Sequence, residues 1–325
     1  MAYTEQYENS LHFSPRFQDY AHSLAASLID RYDLREKDVV EIGSGQGDFL
    51  ALLCALGGNR GTGFDPSYTG PAQAAGLPLR FVKDFYSERY ADTAADLIVS
   101  RHTLEHIDRP RELVAMLRRS LDGRPAVVFF EVPNALFTLR GLSIWDLIYE
   151  HVSYFTPSSL ARLFSEGGFE VLRVAEAFDG QFLTVEATPR QPGAPDRVPQ
   201  SEVELAALHR DVQNFVSSFR RKMGEWTDLL AEIRTSGKRA VVWGAGSKGV
   251  TFMNLLGAGA EIERIVDINP RKHGMYVAGS GQQIVPPEEM KTYCPEWIVL
   301  MNPIYRGEVE AAARDLGLDA QFLQA

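Results

Sequence analysis

Short apolar runs bounded by turn residues recur along the first half of the chain: Asp38 to Ile42, Gly61 to Asp65, Asp96 to Ser100 and Ala126 to Val132. Each has the length of a strand and is followed by a stretch of helical periodicity. That alternation predicts a parallel sheet covered by helices on both faces. Two further runs, Phe169 to Ala177 and Gln181 to Ala187, are separated only by Phe178, Asp179 and Gly180, which predicts a closing hairpin and an antiparallel sheet edge. The segment Thr188 to Gln200, TPRQPGAPDRVPQ, has no apolar period and reads as an exposed linker. Beyond it Leu205, Leu208, Val212, Phe215, Phe219, Trp226, Leu230 and Ile233 recur three or four apart, the pattern of one amphipathic helix of about nine turns. That helix packs along the first domain or pairs with another subunit. From Lys238 a smaller alternation begins, with strands expected at Arg239 to Trp243, Ile262 to Asp267, Trp297 to Met301 and Ala320 to Leu323. The pattern therefore predicts α/β architecture throughout: residues 1–188 as a Rossmann-like domain, 189–237 as linker and long helix, and 238–325 as a smaller Rossmann-like domain.

Composition narrows the function classes. A net charge of −10 and a pI near 5.3 argue against a broad nucleic-acid footprint, which needs a basic face. No apolar run approaches the roughly 20 residues that cross a bilayer, and Met1 to Ser10 is polar, so a cytoplasmic protein away from membranes is expected, as monomer or homodimer. Cys54 and Cys294 are far apart and have no Cys or His at ligand spacing, which argues against structural zinc and a disulfide framework.

Two glycine loops carry the candidate chemistry. The first, Glu41-Ile-Gly-Ser-Gly-Gln-Gly47, follows a strand and opens a helix near Asp48. Glycine lets the backbone turn sharply against a ligand, and the helix start offers unpaired N–H groups. Eighteen residues on, Phe64-Asp65-Pro66 ends the next strand and places a carboxylate where both ribose hydroxyls of an adenosine-bearing cofactor could be held. Glu41 tips the choice away from NAD, because a carboxylate beside a pyrophosphate is repelled, whereas it suits the cationic methionine end of S-adenosylmethionine. The second loop places Gly244, Gly246 and Gly249 eighteen residues before Asp267, with Lys248 at the helix start where a phosphate is welcome. Three readings stand for it: a nucleotide or diphosphate handle of the substrate, an NAD site, or a structural turn. The remaining length accommodates only one mononucleotide-binding half.

His102 and His106 lie four apart, but without an acidic third ligand placed nearby they make a poor metal pair, and no metal is expected. A structural hydrogen bond or a substrate contact is left for each. The segment Trp145 to Phe155, WDLIYEHVSYF, falls after the fifth strand and is expected to roof the pocket. Glu150 orienting His151 is the arrangement of a general base; a packed interface with a polar edge is the plainer alternative.

VVEIGSGQGDFL, Val39 to Leu50, resembles the first motif of the class I S-adenosylmethionine-dependent methyltransferases, and LIVSRHTLEHI, Leu97 to Ile107, their fourth strand and following loop. The resemblance covers about Ser14 to Thr188. It implies S-adenosylmethionine as cofactor, Gly43, Ser44, Gly45 and Gly47 around its methionine portion, Asp65 and Pro66 at the ribose, Asp84 or Phe85 near the adenine, and Ser100 to Thr103 beneath it.

A closer resemblance is to the sugar C-methyltransferases of deoxysugar pathways, which carry a pattern like IYHEHLSYF where this chain has IYEHVSYF. Glu150, His151, Tyr154 and Phe155 match; Tyr149 falls where the family has histidine, and one residue is missing. YENSLHFSPRF is similar to the family's segment before the first helix, making Tyr7 a further candidate. VVWGAGSKGVTFMNLL and VDINPRKHG resemble the family's C-terminal domain. The family's four-cysteine zinc domain precedes the point where this chain begins, and Gly180-Gln-Phe-Leu replaces a glycine pair followed by Ser-Leu-Arg. The resemblance implies C-methylation of a nucleotide-linked ketosugar through an enolate. In that scheme His151 is the base and Glu150 its support, with Tyr7 or Tyr149 at the enolate oxygen and His106, Tyr154, Gly246 and Lys248 in contact with substrate. O- or N-methyl transfer, an oxidoreductase and an inactive scaffold are the alternatives.

Overall fold

A computed structural model of the chain describes residues 13–73, 76–121, 123–191 and 202–325. In chain order these form α1 (Pro15–Tyr32), β1 (Asp38–Ile42), α2 (Asp48–Gly57), β2 (Arg60–Phe64), β3 (Leu79–Val82), β4 (Leu97–Arg101), α3 (Pro110–Ser120), β5 (Val127–Pro133), α4 (Ala135–Arg140) and α5 (Pro157–Glu166). Then follow β6 (Phe169–Ala177), β7 (Phe182–Pro189), α6 (Glu202–Ser236), β8 (Ala240–Trp243), α7 (Ser247–Leu256), β9 (Ile262–Val266) and β10 (Gln283–Val285). The chain closes with α8 (Met290–Tyr293), β11 (Trp297–Leu300), α9 (Arg306–Asp315) and β12 (Gln321–Gln324). No described helix is long and apolar enough to cross a membrane.

The chain divides into two compact units, the first holding Asp19–Ala135 and Glu150–Ala207. Its sheet, among the described residues, has the order β3-β2-β1-β4-β5-β7-β6, with β7 antiparallel to both β5 and β6 and the other pairs parallel. Both faces are covered, so the central strands are apolar on both sides. Val40, Ile98, Val128 and Phe130 lie in one core, and Val39, Leu97, Val99 and Phe129 in the other. Local chemistry sets the helix ends. Pro157 begins α5 behind a Thr156–Ser159 capping box, and Gly58 ends α2 at φ 64°. The strand order reverses between β1 and β4, and their carboxyl ends are where such a sheet binds ligands. The hairpin turn falls at Phe178, Asp179 and Gly180, all at positive φ, as the sequence predicts.

The second unit holds Leu136–Tyr149 and Leu208–Ala325. Its all-parallel sheet has the order β10-β9-β8-β11-β12, which repeats the β3-β2-β1-β4-β5 portion of the first. Ile144 and Trp145 are buried in its core with Phe215, Trp226, Leu230, Ile233 and Phe252. The expected division into 1–188, 189–237 and 238–325 has no place for this excursion of the chain. Leu136–Tyr149 belongs with the C-terminal unit because Trp145 stacks edge-on to Phe252 at 4.8 Å, Arg140 pairs with Asp211 at 2.9 Å, and Lys222 donates to the Leu142 carbonyl at 3.0 Å. Helix α6 is about 52 Å long at 1.5 Å per residue and gives its C-terminal half to this core, while Leu205, Val212 and Val216 stay exposed. The second sheet has a strand more than the periodicity suggests, because β10 is only three residues long.

Candidate active site

Gly43, Gly45 and Gly47 all lie at positive φ, between 53° and 89°, so the loop after β1 follows a path that L side chains resist. Two of them are also closely packed. A Cβ on Gly43 would fall 2.0 Å from Thr103 Oγ1, and one on Gly47 2.3 Å from the Phe81 ring, whereas Gly45 faces open space. Asp65 locks the loop: Oδ2 accepts from the Gly45 N–H at 2.8 Å and Oδ1 from the Ser67 N–H at 2.7 Å. Oδ1 also accepts from the Ser67 hydroxyl at 2.6 Å, so Oδ2 is the oxygen that keeps a second lone pair.

Other expected cofactor residues are placed differently. Glu41 is 3% exposed beneath the loop, where Oε2 accepts from the Leu50 N–H at 3.1 Å. Burial pushes its carboxyl up to about 8, even with Arg101 nearby, so at neutral pH it is largely protonated. Through that bond Glu41 holds the start of α2. Asp84 is occupied by its own turn, accepting from the Phe85 N–H at 2.8 Å and the Tyr90 hydroxyl at 2.6 Å and pairing with Arg89. Phe85, 61% exposed, leaves a free ring face. Pro66 follows Asp65 in the loop, partly exposed. Ser44 and Ser100 are buried, and neither hydroxyl has a protein partner.

Sequence reasoning missed a buried charge network beside this loop. Glu131 on β5 is fully buried and accepts from Arg101 Nε at 2.9 Å and from the Tyr20 hydroxyl; His102 Nε2 lies 3.0 Å from the same carboxylate. Burial opposes its charge, but Arg101, His102 and Tyr20 outweigh that and hold its carboxyl down to about 2. Arg101 is sandwiched further by the Phe49 ring, 4.3 Å from its guanidinium carbon. Burial and Glu131 together raise the Tyr20 hydroxyl far above its ordinary value. His102, with φ 51°, is thus drawn down into the network.

Next to it lies a second cluster. The turn Leu104–His106 follows Thr103, which packs on Gly43, and the Glu105 carbonyl accepts from the Val152 and Ser153 N–H groups at 2.9 and 3.1 Å. Those bonds staple Glu150–Ser153 to the turn and set the His106 and His151 rings edge to face at 4.9 Å. One donor atom each from Glu105, His106 and His151 lie within 4.8 Å of one another. The pairing expected between Glu150 and His151 does not form. Only the Glu150 main-chain carbonyl takes part, 3.0 Å from His106 Nδ1. Burial lowers the His151 imidazole to about 3, helped by His106 and His102, and burial also lowers His106. Burial pushes Glu105 up to about 8. Tyr154 sits 6.0 Å from His151, Tyr149 is 85% exposed, and Tyr7 lies outside the described residues.

Comparison with known proteins agrees with this geometry. Residues 16–174 match the family model of a methyltransferase domain, and residues 197–322 that of a C-methyltransferase C-terminal domain. Between them the two models span most of the chain, and the protein is an S-adenosylmethionine-dependent methyltransferase. C-methyltransferase NovU of Streptomyces niveus is 27% identical over 307 residues, 89% of this chain and 72% of that protein. Among solved structures, the magnesium protoporphyrin IX methyltransferase of Synechocystis PCC 6803 matches 53% of this chain and 83% of its own at 17% identity and TM-score 0.42. The 1,6-didemethyltoxoflavin-N1-methyltransferase of Burkholderia thailandensis matches 55% and 82% at 19% and 0.40.

The methyltransferase's loop fits its cofactor: the space a Gly45 Cβ would enter is open, Asp65 Oδ2 has a lone pair to offer, and Phe85 presents a ring face. Its second unit has a parallel loop in which Gly246, exposed, starts α7. Lys248 there is paired with Asp146 at 2.8 Å. Both line a cavity of about 130 Å³ with Lys222, Ser143, Trp145 and Met301, where that sheet reverses order between β8 and β11.

Proposed function

We propose that the enzyme methylates a carbon beside a ketone on a small hydroxylated acceptor, a nucleotide-linked ketosugar, through an enolate. The observation that carries this is the Glu105, His106 and His151 cluster, joined to the cofactor loop through Thr103. Carbon acceptors require that a proton be removed and an oxyanion be stabilised before transfer, and the cluster offers polar groups for the second task. The relative NovU, a C-methyltransferase, supports the same chemistry.

Gly43, Ser44, Gly45 and Gly47 hold the methionine portion of S-adenosylmethionine, Asp65 its ribose, and Phe85 its adenine. Bound there, the cofactor supplies a methyl group already activated on a sulfonium, so the protein's task is alignment and exclusion of water. His151 begins neutral, and its low basicity suits an imidazole that polarises a carbonyl better than one that takes a proton. Glu150, half-buried beside it, takes the proton from the carbon next to the carbonyl. Tyr149 and Tyr154 close the acceptor side. Lys248 and Lys222 attract an anionic handle of the acceptor to the second unit's cavity.

Incubation with methyl-labelled cofactor and dTDP-linked ketosugars, followed by NMR of the product, tests the reading. A new carbon–carbon bond to the labelled methyl group supports it, and label on oxygen or nitrogen replaces it with O- or N-transfer. Without cofactor, Glu150→Gln is expected to slow exchange of the acceptor's acidic C–H with deuterium by about 100-fold.

A further inference from the structure

We infer that Glu105 is a positioning residue for His151: its carboxyl donates a hydrogen bond to Nδ1 and holds the ring as the tautomer that carries its proton on Nε2. This rests on the proposed function and deepens it, because that tautomer is the one with an N–H on the ring's open side to offer the acceptor's carbonyl.

Two orphaned atoms point to the pair. Glu105 is 2% exposed and its Oε2 has no hydrogen-bond partner; His151 Nδ1 is likewise buried and unpartnered. Polar atoms are seldom buried in this way without a group to meet them. A carboxyl oxygen of Glu105 and a ring nitrogen of His151 lie within 4.8 Å of each other. Competing contacts are weaker or taken. Glu105 Oε1 stands 3.9 Å from His102 Nδ1, beyond hydrogen-bond reach, while His102 Nε2 and His106 Nδ1 face Glu131 and the Glu150 carbonyl, each at 3.0 Å. The Glu105 carbonyl holds the Val152 and Ser153 N–H groups, so the main chain keeps the two side chains together and side-chain rotation closes the gap.

The protonation states are complementary. Burial, with the Glu131 charge adding to it, pushes Glu105 up to about 8, so at neutral pH it has an O–H to give. Burial, helped by His106 and His102, lowers His151 to about 3, so the ring is neutral and one of its nitrogens accepts. In a neutral imidazole the hydrogen bond made by one nitrogen decides where the proton sits. An O–H given to Nδ1 puts that proton on Nε2, away from the buried side of the half-buried ring. Above about 8 the relation inverts: Glu105 loses its proton to solvent, a carboxylate only accepts, and the ring proton moves from Nε2 to Nδ1 to meet it. Glu131, Glu150, His102 and His106 are the titratable groups around the pair among the described residues, with Tyr154 6.0 Å from the His151 ring. Glu131 is held at about 2 and His106 below its ordinary value, so neither changes charge between pH 7 and 9.

The test uses the full-length enzyme carrying ring-¹⁵N histidine. Long-range ¹H–¹⁵N spectra report which nitrogen of each of the seven histidines is protonated, and the His151 signals are those missing from His151→Gln. In the wild type Nε2 should carry the proton at pH 7, and the tautomer should change to Nδ1–H as pH rises through about 8. Glu105→Gln, whose amide donates at every pH, should keep the Nε2–H tautomer from pH 7 to 9. Glu105→Ala should give a mixture of the two tautomers that pH does not move. S-adenosylhomocysteine titration shows whether each variant keeps its fold, and the wild-type series needs no substitution. A wild-type His151 protonated on Nδ1 at pH 7, a tautomer that ignores pH, or a Glu105→Ala spectrum like that of wild type overturns the inference. The spectra need no acceptor, so failure of every ketosugar as substrate strikes the proposed function and not this contact.

Discussion

Replacing Glu131 with glutamine tests whether the buried charge network holds the first unit together. The side chain keeps its size, but the Arg101 guanidinium, 8% exposed, loses its counter-charge. Breaking a buried pair from one side costs about 3–5 kcal/mol. Linkage provides a second estimate. The Glu131 carboxyl is held at about 2, against 4.5 ordinarily. A carboxyl depressed in the folded state stabilises above 4.5 and loses that contribution as pH falls toward 2, about 3 kcal/mol in all, of which somewhat under half has gone by pH 3.5. The two routes agree. Burial raises Glu41 and Glu105 to about 8, so their contributions vary between 4.5 and 8, while Asp84, Glu166 and Glu296, also held low, are common to wild type and variant and cancel in the comparison.

Urea unfolding followed by far-ultraviolet circular dichroism at pH 7 and pH 3.5 gives the measurement. The chain's four tryptophans, Trp145, Trp226, Trp243 and Trp297, all lie in the second unit, so their fluorescence follows that unit separately. Glu131→Gln should lose about 3 kcal/mol or more at pH 7, and the gap to wild type should narrow by about 1 kcal/mol at pH 3.5. A variant within 1 kcal/mol of wild type at pH 7, or a gap that does not change with acid, refutes the reasoning.

Three further outcomes are expected. Gly47→Ala, with its Cβ 2.3 Å from Phe81 at φ 89°, should destabilise by about 2–4 kcal/mol in thermal unfolding, and a melting point like wild type would contradict the packing. Asp65→Asn keeps the shape but weakens the three accepted hydrogen bonds, so calorimetry should show S-adenosylhomocysteine binding about 10-fold weaker or more. Glu41 has a raised carboxyl, so what it contributes to stability is full below 4.5 and lost as pH climbs through 8. Glu41→Gln should therefore gain on wild type between pH 5 and 8, by roughly 4 kcal/mol, in chemical denaturation at both pH values.

What the sequence displays is what short-range pattern encodes. The alternating runs give the strand order's raw material, and Phe178 to Gly180 gives the hairpin, because buried parallel strands and turn residues have local signatures. Strands β3 and β10 are four and three residues long and carry no distinctive period. The path of Leu136–Tyr149 into the second unit escapes for a different reason: an apolar Trp145 announces burial but not against which core. Tyr20, Arg101 and Glu131 are scattered along the chain, and only sheet register unites two of them, Arg101 opposite Glu131. A charge at the end of each of two adjoining apolar strands was the available signal. Glu105 stood in the same turn as His106, and its burial needed the fold to become visible.

The two units also share a device whose difference separates their roles. In the second, Asp267 Oδ2 accepts from the Ala245 N–H and Oδ1 from the Asn269 N–H, both at 2.8 Å, repeating what Asp65 does with Gly45 and Ser67. The lock is the same, but its outer side is not. Lys272 Nζ donates to the Ala245 carbonyl at 3.1 Å and lies 3.6 Å from Asp267 Oδ2, so a cation stands where a ribose hydroxyl would have to approach. Beside Gly45 there is open space instead. An NAD-type use of the second loop would have to displace that lysine from a carboxylate only 4% exposed, which removes the main attraction of the oxidoreductase reading. On the proposed function the acceptor's handle goes to the cavity at Lys248 and Lys222, where, among the described residues, Asp146 is the one acidic side chain to be displaced or accommodated. That reading leaves adenosine recognition to the first loop.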